Sequence, residues 1–176
     1  GAGVPELVQA AQAADRAGVR FLTATGQSAR GMYETLKGNG AGVRSSYFMT
    51  LDDDIKVDAE SILRACAFAD YCRVPTIVGS HMFDLYNRTL LNAYAEVVDP
   101  YSFRWGPVTG LGQLDFAERG LRSRRVLHRR WDADYNGWWM CLIPTSIVRE
   151  IGLSLPVFIK WDDAEYALRA REYGYP

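Results

Sequence analysis

Along this chain, short continuous apolar runs alternate with segments in which apolar residues recur at helical spacing. VRFLT, SYFMTL, PTIVGSHMF and GWWMCLIP have the length and the β-branched or aromatic content of buried strands. ELVQAAQAADRAG, opened by Pro5 and closed by Gly18, predicts a helix. A second helix is expected from about Ala29 to Lys37, inside the Gly-rich piece GQSARGMYETLKGNGAG. ESILRACAFADYC is helical in period, with Asp58 as its N-cap. TSIVREIG predicts a short helix capped by Thr145, and DDAEYALRAREYG a last helix stopped by Gly174. Between Leu85 and about Arg130 the pattern weakens. RTLLNAYAEVVD reads as helix passing into strand, and PYSFRWGPVTGLGQLDFAERGLRSRR as a long connection of the kind that often carries function. Strands alternating with helices predict an α/β fold, with a mixed, mainly parallel sheet flanked by helices.

Composition narrows this picture. At 176 residues with 48% hydrophobic and 23% charged positions, one ordinary core and one domain are expected. A net charge of -1 provides no basic field for sequence-independent nucleic-acid binding. Cys66, Cys72 and Cys141 lack metal-ligand spacing and read as reduced thiols, which suits a cytoplasmic protein. No apolar run approaches the roughly 18 residues a membrane span needs, and the start has no signal-peptide pattern. Five Trp and ten Tyr suit stacking against sugars or bases.

The most unusual stretch is Asp52, Asp53 and Asp54, directly after the SYFMTL run. Adjacent carboxylates raise one another's pKa, so a cation is one reason to keep them together. On extended backbone Asp52 and Asp54 project to the same side and can share a hard cation, Mg²⁺ or Mn²⁺. A solvated acidic turn ahead of the next helix explains them equally well. Asp162 and Asp163 open the last helix, where the helix dipole favours acids. Two acids directly after Trp161 exceed what a cap requires, and a carboxylate in an aromatic-lined pocket is a fair general base.

Trp138 and Trp139 are neighbours, so on a strand they face opposite sides, one toward the core and one toward a cleft. His81 and His128 have no metal partner at a recognisable spacing. The basic tract RSRRVLHRR is either a solvated face or a contact for phosphate or an anionic lipid surface.

Taken together, FMTLDDDIKVDAESILR, EVVD, LHRRWDADYNGWWMCLIP and LPVFIKWDDAEYALRAREYGYP resemble the inverting family 2 glycosyltransferases of GT-A fold. Within that group they are most similar to the actinobacterial galactofuranosyltransferases that build cell-wall galactan. The resemblance covers about Tyr47 to Pro176. It implies a Rossmann-like GT-A domain that transfers galactofuranose from UDP-galactofuranose to a hydroxyl of a lipid-linked galactan. It also implies that Asp52, Asp53 and Asp54 bind the donor diphosphate, with Asp52 and Asp54 on Mn²⁺ or Mg²⁺. Asp163 would be the base and Asp162 would position the acceptor. Trp105, Trp138, Trp139 and Trp161 would line the acceptor groove. Peripheral contact with the inner face of the plasma membrane and oligomerisation both fit such a role. The family places a further metal-binding histidine after a GYP-like sequence, and its uracil- and ribose-binding strands are not recognisable here. The expectation is therefore a partial catalytic domain, with residues 1-44 poorly matched.

Two other classes fit some of these features. A metal-dependent nucleotidyl or phosphoryl transferase also clusters aspartates, but no Walker loop or kinase set occurs. A non-catalytic carbohydrate-binding module would use the tryptophans but has no need of a base.

Overall fold

A computed structural model describes residues 45–52, 54–129, 131–155, 157 and 160–176. The helix predicted through ELVQAAQAADRAG, the VRFLT strand, the helix from Ala29 to Lys37, and Asp53 lie outside the described residues.

The described chain begins with β1 (Tyr47–Leu51) and α1 (Ala59–Tyr71), followed by two very short strands, β2 (Val78–Gly79) and β3 (Met82–Phe83). Next come β4 (Leu90–Ala93), the hairpin of β5 (Glu96–Asp99) and β6 (Arg104–Pro107), and β7 (Leu114–Asp115). Two 3₁₀ turns, Leu121–Ser123 and Arg125–Leu127, precede β8 (Met140–Pro144), α2 (Thr145–Ile151) and α3 (Asp162–Glu172).

These strands form three small sheets, ordered β1-β8-β2, β3-β4-β7 and β5-β6. Every strand pairing among the described residues is antiparallel. This overturns the expected α/β, GT-A (Rossmann-like) sheet of mainly parallel strands. The order β1–α1–β2 looks like a parallel crossover in the sequence. β1 and β2 do run the same way, but they never pair, because β8 lies between them and antiparallel to both. All five residues of β8 are buried, so both of its faces are covered. A fully covered strand reads as a continuous apolar run, the usual signature of a parallel strand.

Other expectations change for local reasons. PTIVGSHMF is not one strand. It breaks at Ser80 and His81, so that β2 joins the sheet around β8 while β3 pairs with β4. Gly79 allows the close approach there, since a Cβ would meet Oδ1 of Asn136 at 2.3 Å. RTLLNAYAEVVD forms two strands, so its first half is β4 rather than the expected helix while EVVD is a strand as expected, and the long connection after it carries β6, β7 and the 3₁₀ turns. Thr145 is the first helical residue, not the cap. Its N–H and its hydroxyl donate to the carbonyls of Ser46 and Ser45, each at 2.9 Å, which ties α2 to the lead-in of β1.

The two other helix ends match their residues. The Asp58 carboxylate accepts from the Glu60 N–H at 2.9 Å, satisfying a donor that the first turn of α1 leaves unpaired. Gly174 takes φ +87° after α3. The Tyr175 and Gly174 N–H groups donate back to the carbonyls of Ala170 and Arg171, which closes a Schellman motif.

The main core lies between β8 and helices α2 and α3. Ile143, Ile147, Tyr166 and Ala170 are almost fully buried there, with Trp138 and Cys141 beside them. A smaller cluster of Leu91, Tyr94 and Leu114 supports the second sheet. Replacing Asp58 by Ala should lower the unfolding free energy by about 1 kcal/mol with the fold unchanged. Denaturant melts of the two proteins check this, and equal stability would show that the cap contributes nothing.

Candidate functional site

The N-terminus of α3 faces the β5–β6 hairpin across an open cavity of about 360 Å³. One wall is Lys160, Trp161, Asp162 and Asp163, and the other is Glu96 and Trp105. Tyr135 and Trp139 complete the lining, with Met82 and Ala93 from the second sheet. The cavity thus collects carboxylates and indole rings that lie far apart in the chain.

Local backbone explains how each group arrives there. Trp161 is the N-cap of α3 and takes the left-handed conformation at φ +77°. A bulky side chain is rarely found there, because its Cβ crowds the neighbouring carbonyl. The ring meets Trp105 edge-on, with centroids 5.2 Å apart. Lys160 Nζ lies 5.5 Å from the centre of the Trp105 ring, a cation–π contact at the cavity wall. Trp139 is held from two sides. Its Nε1–H donates to the Ser80 carbonyl at 3.1 Å, and its ring lies against Gly137, where a Cβ would sit 1.8 Å from Cζ3. Only glycine leaves room for the ring in that position.

Asp163 is half-buried, and its environment holds its carboxyl near pKa 6, well above an ordinary aspartate. Desolvation is the main cause, and the charges of Asp162 and Glu96 add to it; the Ala164 N–H, 2.7 Å from Oδ1, works in the opposite direction. A carboxylate poised near 6 is ionised at neutral pH yet holds a proton far better than a surface aspartate, which suits a general base. Asp162, beside it, is buried. Glu96 is likewise pushed up by burial, and a hydrogen bond from the Tyr135 hydroxyl partly offsets this. Burial and the same bond hold the Tyr135 phenol firmly protonated.

Of the residues expected from sequence, Trp105, Trp139, Trp161, Asp162 and Asp163 share this cavity. Trp138 does not. It is 6% exposed and packs in the core against Tyr166, with ring centroids 6.0 Å apart. The two adjacent tryptophans therefore face different environments, although they lie in the turn before β8 and not within the strand. Asp52 and Asp54 are exposed after β1, outside the cavity lining. The Asp52 N–H reaches the Trp139 carbonyl at 3.4 Å, so the acidic end of β1 abuts the cavity's rim through that residue.

Among the described residues no group of three or more His, Cys, Asp or Glu could hold a metal ion on its own. The donor set at Asp52 and Asp54 fits part of a hard-cation shell, one that a ligand's oxygens and water would have to complete. Neither histidine belongs to such a group. His81 packs near Tyr94, and His128 Nε2 is bonded to the Leu121 carbonyl at 2.8 Å.

Much of the basic tract is structural. Arg124 donates to the carbonyls of Asp115 and Arg119, and Arg129 stacks 3.6 Å from the centre of the Trp131 ring. Glu96, Tyr135 and Lys160 are the lining groups that sequence reasoning missed. Glu96 begins the EVVD run, which carries an acid at each end, and nothing in that pattern marked one of them as a cavity group. Among the described residues no helix is long and apolar enough to cross a membrane.

No family model matches the chain. Two curated proteins, each named galactofuranosyltransferase GlfT2, are similar to it, one from Mycobacterium tuberculosis and one from Mycolicibacterium smegmatis. Each is 42% identical over 160 residues, which covers 88% of this chain and 24% of the relative. The chain therefore spans about a quarter of the length of the relatives it matches.

Proposed function

We propose that this chain is part of the catalytic region of a galactofuranosyltransferase of the inverting family 2 type, extending cell-wall galactan from UDP-galactofuranose. Similarity to two proteins named galactofuranosyltransferase supports the choice of transferred sugar. The observation that carries the chemistry is Asp163, a carboxylate with raised proton affinity in a cavity walled by three indole rings.

The acceptor sugar lies with its apolar face on Trp105, Trp139 or Trp161, and Asp162 holds a neighbouring hydroxyl. Asp163 accepts the proton of the attacking hydroxyl as its oxygen forms a bond to the anomeric carbon. The bond from that carbon to the diphosphate oxygen breaks on the opposite face, giving single displacement with inversion, and UDP leaves with the bonding pair. Asp52 and Asp54, with Asp53 between them, would hold Mn²⁺ or Mg²⁺ together with the donor diphosphate. When bound, that ion supplies positive charge to the departing phosphate. A purely carbohydrate-binding role would use the indoles but leaves a half-buried, proton-hungry carboxylate without a purpose.

Replacing Asp163 by Asn should lower kcat for transfer by on the order of 10²–10⁴, with UDP affinity in Mn²⁺ held within about twofold. Equal loss of turnover and of UDP binding would contradict a base role. In the unsubstituted protein, kcat should fall on the acid side with an apparent pKa near 6, as Asp163 takes up a proton. The same shift sets a stability signature. A carboxyl whose pKa is raised by folding stabilises the fold below about pH 4, and that contribution is lost as pH rises through about 6. Asp163→Asn should therefore raise the unfolding free energy at pH 7.5 by on the order of 1–2 kcal/mol and leave it nearly unchanged at pH 4. Urea melts at the two pH values test this, and destabilisation at pH 7.5 would argue against it. Asp54→Ala should weaken Mn²⁺-dependent UDP binding at least tenfold in calorimetric titration; undiminished affinity would remove Asp54 from the cation.

A further inference from the structure

We propose that the tip of the β5–β6 hairpin is a second sugar platform, where Tyr101 and Phe103 hold units of the acceptor glycan remote from the reacting hydroxyl. This rests on reading the neighbouring cavity as the acceptor site, and it extends that site outward. The hairpin pairs Glu96 with Pro107 at its base and Asp99 with Arg104 next to the tip. Glu96 and Trp105 line the cavity, so the hairpin runs from the proposed reaction centre to the surface.

Two features of the tip go beyond what a loop needs. Tyr101 is 96% exposed, Phe103 76% and Trp105 50%, although folding normally withdraws large rings from water. The backbone that presents them is also fixed at a cost. The Asp99 carboxylate accepts from the Tyr101 N–H at 2.9 Å and from the Ser102 hydroxyl at 2.6 Å, which locks the turn. Phe103 sits at φ +51°, a conformation that a bulky residue adopts only under constraint. The left-handed residue closes the four-residue loop between Asp99 and Arg104, and in doing so leaves the Phe103 ring displayed to solvent on the same hairpin as Trp105.

The chemistry of the patch selects the ligand. Phe103 is two residues from Trp105, at most about 7 Å along the chain, so the rings can serve one continuous glycan. Polar Asp99, Ser102 and Arg104 flank them. Two rings set among polar groups make a narrow strip, far below the roughly 800 Å² per partner that a protein interface requires. A strip of apolar faces edged by hydrogen-bonding groups matches a sugar chain, whose units alternate C–H faces with hydroxyls.

The test uses the full-length protein and galactofuranosyl disaccharide and hexasaccharide as probes. Calorimetric binding and transfer kinetics are measured for the unsubstituted protein, for Tyr101→Ala combined with Phe103→Ala, and for Phe103→Gly. Glycine takes φ +51° freely, so that second variant removes the ring while relieving the strain. The dissociation constant and KM for the hexasaccharide should rise about fivefold to tenfold, those for the disaccharide should stay within about twofold, and thermal stability should hold. Equal losses for both probes would overturn the platform. So would a marked fall in melting temperature in both variants, which would mean the rings pack against another part of the protein. Length-dependent binding by a protein that transfers no sugar would leave the platform standing and sink the transferase reading. Transfer with length-blind binding would do the reverse.

Discussion

The site depends on the register of one strand. β8 pairs with β1 through Met49 and Leu142 and with β2 through Val78 and the same Leu142, so its position is specified from both edges. A slip of one residue would exchange its two faces, and because both are buried the cost would fall on the whole core. With the register fixed, the turn ahead of β8 sends Trp138 inward against Tyr166 and leaves Trp139 at the cavity. The same pairing brings the acidic end of β1 beside Trp139. On the core side, packing of Tyr166 and Ala170 fixes α3, and with it the height at which Asp163 enters the cavity.

The cavity's second wall is tied to the first by Asp134. Its carboxylate accepts from the Val98 N–H of β5 at 3.0 Å and pairs with Arg171 of α3, and its own N–H donates to the Glu96 carbonyl at 2.8 Å. The pair with Arg171 is largely exposed and contributes little energy by itself. The backbone bonds matter more, because they hold Glu96 and Tyr135 across from Asp163. Crowding of acidic groups in a poorly hydrated space then produces the raised proton affinity. Chemistry at the site thus follows from packing, through desolvation.

What was legible in the sequence was local. Asp58 and Gly174 mark helix ends because their side-chain and backbone chemistry is short-range. The WDD run stood out because two acids exceed what a cap needs. The division between Trp138 in the core and Trp139 at the cavity, however, comes from the turn before β8 and not from the strand alternation the sequence suggested. Sheet direction was not, because the partner of β1 lies some ninety residues further on and a covered central strand hides its polarity. Glu96 and Tyr135 were invisible for the same reason: their pairing joins segments about forty residues apart. The strand at 90–93 looked helical because leucine and alanine are favoured in helices, and tertiary pairing overrode that preference.

The most direct test of the account is a crystal structure of the full-length protein with UDP, Mn²⁺ and a galactofuranosyl oligosaccharide. The acceptor's terminal sugar should lie in the cavity between α3 and the β5–β6 hairpin, with a hydroxyl about 2.6–3.2 Å from the Asp163 carboxylate. An acceptor bound elsewhere, with Asp163 shielded from every sugar hydroxyl, would contradict it.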